Sequence, residues 1–430
     1  MRFFVISIFL FSFYACVNGQ NNAGDGIVQD NVVNDDRIKT VQLFRENWNL
    51  SYPIIKQDGN EKLLLEFDLL GNDPETFYYS FIFCDKDWNE AGAFINDYLD
   101  GYGENPIEDY KASFNTTVQY YHYSLAFPND RVSLKLSGNY IIAVYLPGNT
   151  ENPVIKRRFM VTEDAVKIDI NAHRPQMTAE SNTQQQIDFN VSLNTLQIND
   201  PYRNVYASIL QNGRWDNSKN NIKPEFFGNN ELKYSSLSEK NIFPGGNEYR
   251  YFDTKSIRYQ SENVRGIEFK APYYNVYLSP SENREFKPYF YRRDFNGKYY
   301  VAFQEGRNPE TDADYVNVYF TLPAFQPVEG GDMFVFGALT DWKAAKNAQM
   351  IYNPQLKQYE CTMLLKQGWY DYEYAFMKKG DLTPSAVPFE GSHYETENDY
   401  LILIYYRNPR ERYDRLLGTA IQSTLNRIVD

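Results

Sequence analysis

The sequence predicts an all-β fold made of three tandem β-sandwich modules. Its 430 residues correspond to about three domains of ~150 residues each. Aromatic residues make up 17% of the chain and hydrophobic residues 43%, which is enough to build packed cores and is unlike a disordered protein. Short apolar runs that alternate with period two, separated by Gly, Pro, Asn and Asp, recur along the chain. This pattern is typical of sandwich strands.

The N-terminal 36 residues precede the predicted modules. Met1 and Arg2 are followed by an apolar run up to Ala15 and by small or modest side chains before position 20. This is the pattern of a secretory signal peptide over residues 1–19, and the run is shorter than the ~20 residues of a membrane span. Lipidation at Cys16 is an alternative. Residues 20–36, rich in Asn, Asp and Gly, are expected to form a flexible leader.

The first sandwich is predicted over residues 37–164. Turn chemistry such as Gly-Asn-Asp-Pro at 71–74 separates its apolar runs. The predicted strands of this module are 63–70, 77–84, 117–127, 139–146 and 154–161. Short strands with regular turn signals are expected to pack as two facing sheets.

The middle β-rich domain is predicted over residues 165–312. Alternation of apolar side chains from Ile187 to Leu193 indicates a half-buried strand. Further strands are predicted at 205–210, 267–269, 275–278 and 299–303. The polar stretch 217–249, which contains several Pro and Gly residues, is expected to be rich in loops.

The C-terminal sandwich is predicted over residues 313–430. Its predicted strands are 315–322, 333–337, 359–365, 370–376 and 401–406. The tail 413–428 is compatible with a helix or with a final strand, because Gly418 and the Thr and Ser content weaken the helical interpretation.

The composition offers little material for chemistry. The chain has three His and three Cys, and no two His fall at metal-ligand spacing. Cys84 and Cys361 lie in apolar, strand-like runs, which favours buried thiols over a disulfide. We therefore expect a non-enzymatic protein with no catalytic residue, no metal and no cofactor. The excess of 13 acidic residues argues against nucleic-acid binding, which requires Lys and Arg in excess.

An acidic stretch with several glycines runs from Asp85 to Asp109. A glycosidase needs two carboxylates in distinct environments, so a hydrolase that uses residues such as Asp87 and Asp100 is a further hypothesis. The spacing does not match the calcium loop of an EF-hand. A solvated, turn-rich loop is the simpler interpretation.

One short pattern occurs twice in the chain. An apolar strand, a polar turn and Asp-Trp are found at 81–88 and again at 334–342. We interpret the repetition as one structural device, in which Trp88 and Trp342 fold back to cap the end of a sandwich.

The C-terminal module resembles the starch- and glycogen-binding modules of the early-set, immunoglobulin-like fold. The resemblance rests on the Asp341-Trp342 turn and on the strand that contains Trp369 and Tyr372. It implies an immunoglobulin-like, early-set sandwich, and it makes an exported glycan-binding protein that uses Trp342 and Trp369 the alternative function. Glu373 stands where those modules place a sugar-contacting Lys.

A longer, ordered set of motifs covers almost the whole predicted mature chain. The motifs lie at 84–89, 98–102, 107–116, 120–123, 127–129, 137–140, 157–159, 405–407 and 412–416. In this order they resemble the plug protein family of the type IX secretion system. The resemblance implies a non-catalytic periplasmic protein without a membrane span. Such a protein binds a large outer-membrane β-barrel translocon and closes its lumen when no cargo is exported.

The partner interface is expected at loop tips that carry aromatic side chains, because Tyr and Phe are favoured at protein interfaces. The candidates follow Pro224 or the glycine pair 245–246, and they are Phe226, Phe227, Tyr249, Tyr251 and Phe252. Coverage of a local core is the alternative role of these side chains.

Overall fold

The computed structural model describes residues 29–175, 181–235 and 239–425. The predicted signal peptide, Cys16 and residues 20–28 of the predicted leader lie outside these ranges. Strands dominate the described chain and its helices are single turns, so the all-β prediction is confirmed. Among the described residues, no helix has the length and the apolar character needed to cross a membrane.

The first sandwich is built from residues 32–162. Its elements are β1 (Val32–Val33), β2 (Ile38–Arg45), β3 (Ile54–Lys56), β4 (Leu63–Leu70), β5 (Phe77–Cys84), α1 (Ile95–Tyr98), β6 (Leu99–Gly101), β7 (Asn105–Ile107), β8 (Asp109–Ala112), β9 (Tyr120–Phe127), β10 (Val132–Leu134), β11 (Gly138–Tyr145) and β12 (Ile155–Thr162). One sheet has the order β2-β4-β9-β8, and the other has the order β1-β12-β11-β5-β7.

The core of the first sandwich follows the predicted period of two. Leu63, Leu65, Phe67 and Leu69 of β4 are all buried, because alternate residues of a strand point to the same face of the sheet. Phe77 of the opposite sheet packs edge-on against Phe67, with ring centroids 5.3 Å apart.

The second sandwich begins at β13. Its elements are β13 (Lys167–His173), β14 (Gln184–Ser192), α2 (Pro201–Asn204), β15 (Val205–Gln211), β16 (Lys219–Ile222), β17 (Phe226–Gly228), β18 (Glu231–Tyr234), the 3-10 turn Glu239–Asn241 and β19 (Ile242–Pro244). One sheet has the order β13-β14-β18-β17, with β19 also paired to β14. The region predicted to be loops thus contains four strands of three or four residues, which are too short to show an apolar alternation.

The third sandwich is formed by a single continuous sheet that folds back on itself. Its elements are β20 (Arg250–Asp253), β21 (Val264–Lys270), β22 (Tyr273–Leu278), β23 (Tyr299–Val301), α3 (Pro309–Asp312), β24 (Tyr315–Pro323), β25 (Gly331–Phe336), the 3-10 turns Ala338–Thr340 and Lys346–Ala348, β26 (Gln349–Asn353), β27 (Gln358–Lys366), β28 (Gly368–Lys378) and α4 (Val387–Glu390). The strand order is β20-β28-β25-β26-β27-β24-β22-β21. The two halves face each other across one core, where Phe320 lies 5.6 Å from Phe252 and 5.1 Å from Tyr372 between ring centroids.

The last two strands return to the second sandwich. They are β29 (Asp399–Arg407) and β30 (Asp414–Ser423), and they complete a sheet of order β16-β15-β29-β30. The third sandwich is therefore inserted into the second, and the sheets do not follow the predicted division into 165–312 and 313–430. An apolar strand such as β29, with residues buried on both of its faces, carries no sequence signal for the sheet that it joins.

Two local expectations concern the tail and the thiols. In the tail 413–428, which was compatible with a helix or a strand, Asp414–Ser423 form strand β30, and residues 426–428 lie outside the described ranges. Cys84 and Cys361 are buried free thiols, as their apolar surroundings predicted.

Candidate functional site

The two Asp-Trp turns lie where the three sandwiches meet. Trp88 has a φ of 67° and Trp342 a φ of 56°. This left-handed conformation is costly for a bulky side chain and persists only where the surroundings impose it. At the first turn, the Asp85 carboxylate accepts hydrogen bonds from the backbone N–H groups of Asp87 and Asn89, both at 2.9 Å. The strain is consistent with a fixed direction for each indole ring.

Each of these indoles packs between two sandwiches and beneath an arginine. Trp88 meets Trp215 of the second sandwich edge-on, with ring centroids 5.0 Å apart, and Arg158 Cζ lies 4.6 Å from the centre of the Trp88 ring. Trp342 of the third sandwich lies 4.5 Å from Cζ of Arg214 in the second. A guanidinium over an indole face is favourable, more so when both groups are removed from water. The repeated pattern therefore joins neighbouring sandwiches.

Arg214 also links the second and third sandwiches through carboxylates. It donates a hydrogen bond to Asp216 at 2.8 Å and lies 3.5 Å from Glu373. Burial raises the pKa of Glu373 to about 7, and the nearby Arg214 opposes this rise. Glu373, which stands where the glycan-binding modules place a Lys, therefore pairs with Arg214 across the junction of the second and third sandwiches.

The two residues of the glycan alternative are half-buried. Trp369 stacks on Tyr251 with centroids 4.3 Å apart, and its Nε1 donates to Asp371 at 2.9 Å. Trp342 packs under Arg214 and edge-on against Tyr249, at 5.9 Å. Both rings are therefore engaged within the molecule, and neither is a freely exposed stacking surface.

A cavity of about 730 Å³ opens at the same junction, with walls from all three sandwiches. Arg157 forms a 3.1 Å ion pair with Asp341 across it. Lys298 donates a hydrogen bond of 2.8 Å to the Leu50 carbonyl, and burial lowers the pKa of Lys298 to about 8. These contacts bridge the first and third sandwiches.

A second set of buried charges, which we call the ionic lock, joins the first and third sandwiches. It consists of Asp68 and His122 of the first sandwich and Tyr315 and Lys366 of the third. Lys366 Nζ lies 2.7 Å and the Tyr315 hydroxyl 2.6 Å from Asp68 Oδ2, while His122 Nδ1 lies 2.7 Å from Oδ1. The side chains of Asp68 and Lys366 are each only 1% exposed.

The ionic lock shifts the titration of its members. Burial alone would raise the pKa of Asp68, but Lys366 and His122 hold it below its usual value. Burial lowers the pKa of His122, but its hydrogen bond to Asp68 and the nearby Glu66 carboxylate, 3.8 Å away, raise it to about 9. Burial lowers the pKa of Lys366, and the Asp68 carboxylate opposes this fall. The charged forms of Asp68 and His122 are therefore favoured at neutral pH.

The first and second sandwiches are joined by side chains of strands β29 and β30. Arg415 forms two hydrogen bonds with the Glu163 carboxylate, at 2.8 and 2.6 Å. The Tyr405 hydroxyl donates to Asn139 Oδ1 at 2.8 Å. Fork-shaped guanidinium–carboxylate pairs fix orientation as well as distance. Each pair of sandwiches is thus held by directional contacts, and the arrangement favours one rigid body.

The residues predicted as partner contacts separate into two groups. Phe226 is 55% exposed, and Phe227 beside it is half-buried. Tyr249, Tyr251 and Phe252 are 5%, 7% and 0% exposed, which corrects the expectation that they form a loop tip. They pack at the junction and in the core of the third sandwich, because the chain after the glycine pair enters strand β20 directly.

Asp85 and Asp87, at the start of the acidic stretch from Asp85 to Asp109, have structural partners. Asp85 holds the first Trp turn, and Asp87 accepts a hydrogen bond of 2.7 Å from Asn221 of the second sandwich. In the described parts of the chain, no group of three or more His, Cys, Asp or Glu side chains is arranged to hold a metal ion.

Sequence reasoning missed the ionic lock for a physical reason. Asp68 and His122 are directly opposite each other on neighbouring strands β4 and β9. They point away from the core of their own sandwich, as the alternation predicts for polar residues. They are buried because the third sandwich covers that outer face, and a single sequence carries no signal for such a cover.

Comparisons with known proteins agree with this architecture. A hypothetical protein from Parabacteroides merdae, known from its crystal structure, is similar over 92% of this chain and 99% of its own, with 34% identity and a TM-score of 0.88. No curated protein matches the chain in sequence. Residues 38–163 match the family described as the type 9 secretion system plug protein 1st domain. The first sandwich of this chain therefore belongs to the family of type 9 secretion system plug protein 1st domains.

Proposed function

We propose that this protein is a non-catalytic periplasmic plug. It binds the periplasmic opening of the large outer-membrane translocon barrel of the type IX secretion system and seals it when no cargo is exported. The observation that carries the proposal is the family match over the first sandwich. Proteins of that family are components of a secretion system, and the family is not known as one of enzymes.

The physical need for a plug follows from barrel geometry. Small barrels are filled by their own side chains, whereas wide barrels leave an aqueous channel. A channel wide enough for folded cargo would also leak small solutes. A blocking body must therefore be broad and must resist deformation.

The arrangement of the sandwiches supports such a role. The ionic lock joins the first and third sandwiches, Glu163 and Arg415 join the first and second, and Arg214 and Glu373 join the second and third. Because every pair is connected, bending at one junction is opposed by the other two. Insertion of the third sandwich into the second adds two chain crossings between them.

The experiment is affinity purification from outer membranes, followed by identification of the bound proteins by mass spectrometry. Recovery of the translocon barrel is the expected result, and deletion of the protein should increase leakage of small solutes across the outer membrane. A tagged protein that is correctly folded and exported but recovers no barrel would overturn the proposal.

A further inference from the structure

We propose that the loop between β22 and β23, residues 279–298, is the surface that docks onto the translocon barrel, with Phe286 and Phe290 as its anchors. The inference rests on the proposed function and adds the location of the contact. The occupant is the wall of the barrel at its periplasmic mouth.

The loop exposes two large aromatic side chains. Phe286 is 90% exposed and Phe290 is 80% exposed. Loops longer than about 12–15 residues without regular structure are uncommon in compact domains, and those that are well ordered are usually functional. Aromatic residues are enriched among the anchors of protein interfaces, where their burial supplies much of the binding energy.

Buried groups hold the loop close to these two rings. Arg284 donates to Glu390 Oε2 at 2.7 Å, and Arg250 donates to Glu390 Oε1 at 2.9 Å. Glu390 is almost fully buried. Tyr289, directly before Phe290, donates its hydroxyl hydrogen to the buried carboxylate of Glu248.

These buried contacts fix the conformation of the loop before it binds a partner. Burying a carboxylate is costly unless its partners compensate it, and for Glu390 the compensation comes from Arg250 and from Arg284 of the loop. A loop that is already fixed loses little conformational freedom when it binds. The two phenylalanines are therefore presented in advance, as rigid anchors are at strong interfaces.

The charge of the loop narrows the class of partner. Residues 284–293 contain four basic side chains and one acidic one, but Arg284, Lys287 and Arg292 are paired with Glu390, Glu282 and Glu262, so the loop carries little free positive charge. A surface with large exposed aromatic side chains and few unpaired charges fits the core of a protein–protein interface, where charged residues are depleted. An anionic membrane surface fits less well, because the strongly negative remainder of the chain would be repelled by anionic lipids.

The test replaces both anchors and uses a matched control. Phe286→Ala/Phe290→Ala removes the two rings, and Phe325→Ala removes a ring of the same type that is also 80% exposed but lies in the turn after β24. We expect the double variant to reduce recovery of the mass-spectrometrically identified barrel roughly tenfold or more. The control should change recovery less than about twofold. Circular dichroism and thermal melting should match the wild type for both variants.

The outcomes separate this inference from the proposed function. If the wild type recovers the barrel and the folded double variant recovers it equally well, the docking surface lies elsewhere and the inference is overturned. If the wild type recovers no barrel, the proposed function fails first and the inference fails with it.

A photo-crosslinking amino acid at position 286 or 325 identifies the occupant directly. Crosslinks from position 286 to the barrel, absent from position 325, support the inference. Crosslinks from position 286 to lipid or to a second copy of the chain, without barrel, contradict it.

Discussion

Replacement of Lys366 by Met should destabilise the protein through the ionic lock. The ammonium lies 2.7 Å from Asp68 Oδ2 and 2.7 Å from the Glu310 carbonyl, and both charged side chains are 1% exposed. Met is similar in length and fills most of the same space, so the change removes the charge and leaves the packing nearly intact. Asp68 would then be a buried carboxylate without its main counter-charge.

The expected cost follows from the partners that remain. Removing one partner of a buried ion pair costs about 3–5 kcal/mol. Because Tyr315 and His122 still hydrogen-bond the Asp68 carboxylate, we place the loss at the lower end, about 3 kcal/mol.

The assay is urea unfolding at neutral pH, followed by tryptophan fluorescence. The matched control is Lys56→Met, since Lys56 also forms a short ion pair, at 2.6 Å from Asp164, but these side chains are 55% and 50% exposed. An exposed pair is screened by solvent and contributes little to stability. If Lys366→Met is no more destabilising than Lys56→Met, the claim that a charged lock joins the two sandwiches is refuted.

Three further outcomes are expected. Because the hydrogen bond to Asp68 and the nearby Glu66 carboxylate outweigh burial and raise the pKa of His122 to about 9, the contribution of His122 to stability should be full below pH ~6.5 and should be lost as the pH rises through about 9, a span of about 3 kcal/mol. Urea midpoints of the wild type and His122→Asn should converge at alkaline pH, and parallel curves would contradict the assignment. Burial raises the pKa of Glu248 to about 7, so its ionisation destabilises the fold as the pH rises from about 4.5 through about 7. Glu248→Gln should therefore unfold at a higher urea concentration than the wild type at about pH 8, and at the same concentration near pH 4. A variant that is less stable than the wild type at pH 8 would disprove this. Trp88→Ala, at a buried site, should lower the free energy of unfolding by about 3–5 kcal/mol. Trp48→Ala, at an exposed site, should lower it by less than about 1 kcal/mol. Equal losses would show that the junction does not depend on the first Trp turn.

Local structure was largely predictable from the sequence, because it depends on neighbouring residues. The alternation in β14 and the turn residues around β4 determine where strands begin and end. The Asp-Trp repetition also pointed to a shared device, and both tryptophans adopt the same unusual backbone conformation.

Assembly of the sandwiches was not predictable, because it depends on faces that meet over long sequence separations. Strand β29 pairs with β15, which lies on the other side of the inserted third sandwich. Asp68 looks like an ordinary outward-facing polar residue until another sandwich covers it. Similarly, Phe286 and Phe290 sit in a polar loop, where two aromatic side chains give no sign of whether they are exposed or covered.

The most direct test of the plug proposal is the ionic conductance of the purified translocon barrel in a planar lipid bilayer, before and after addition of this protein. We expect a large conductance that falls close to the baseline when the protein is added in equal amount. The heat-denatured protein should have no effect. A conductance that stays unchanged while the protein is shown to be bound would contradict the claim that it seals the barrel.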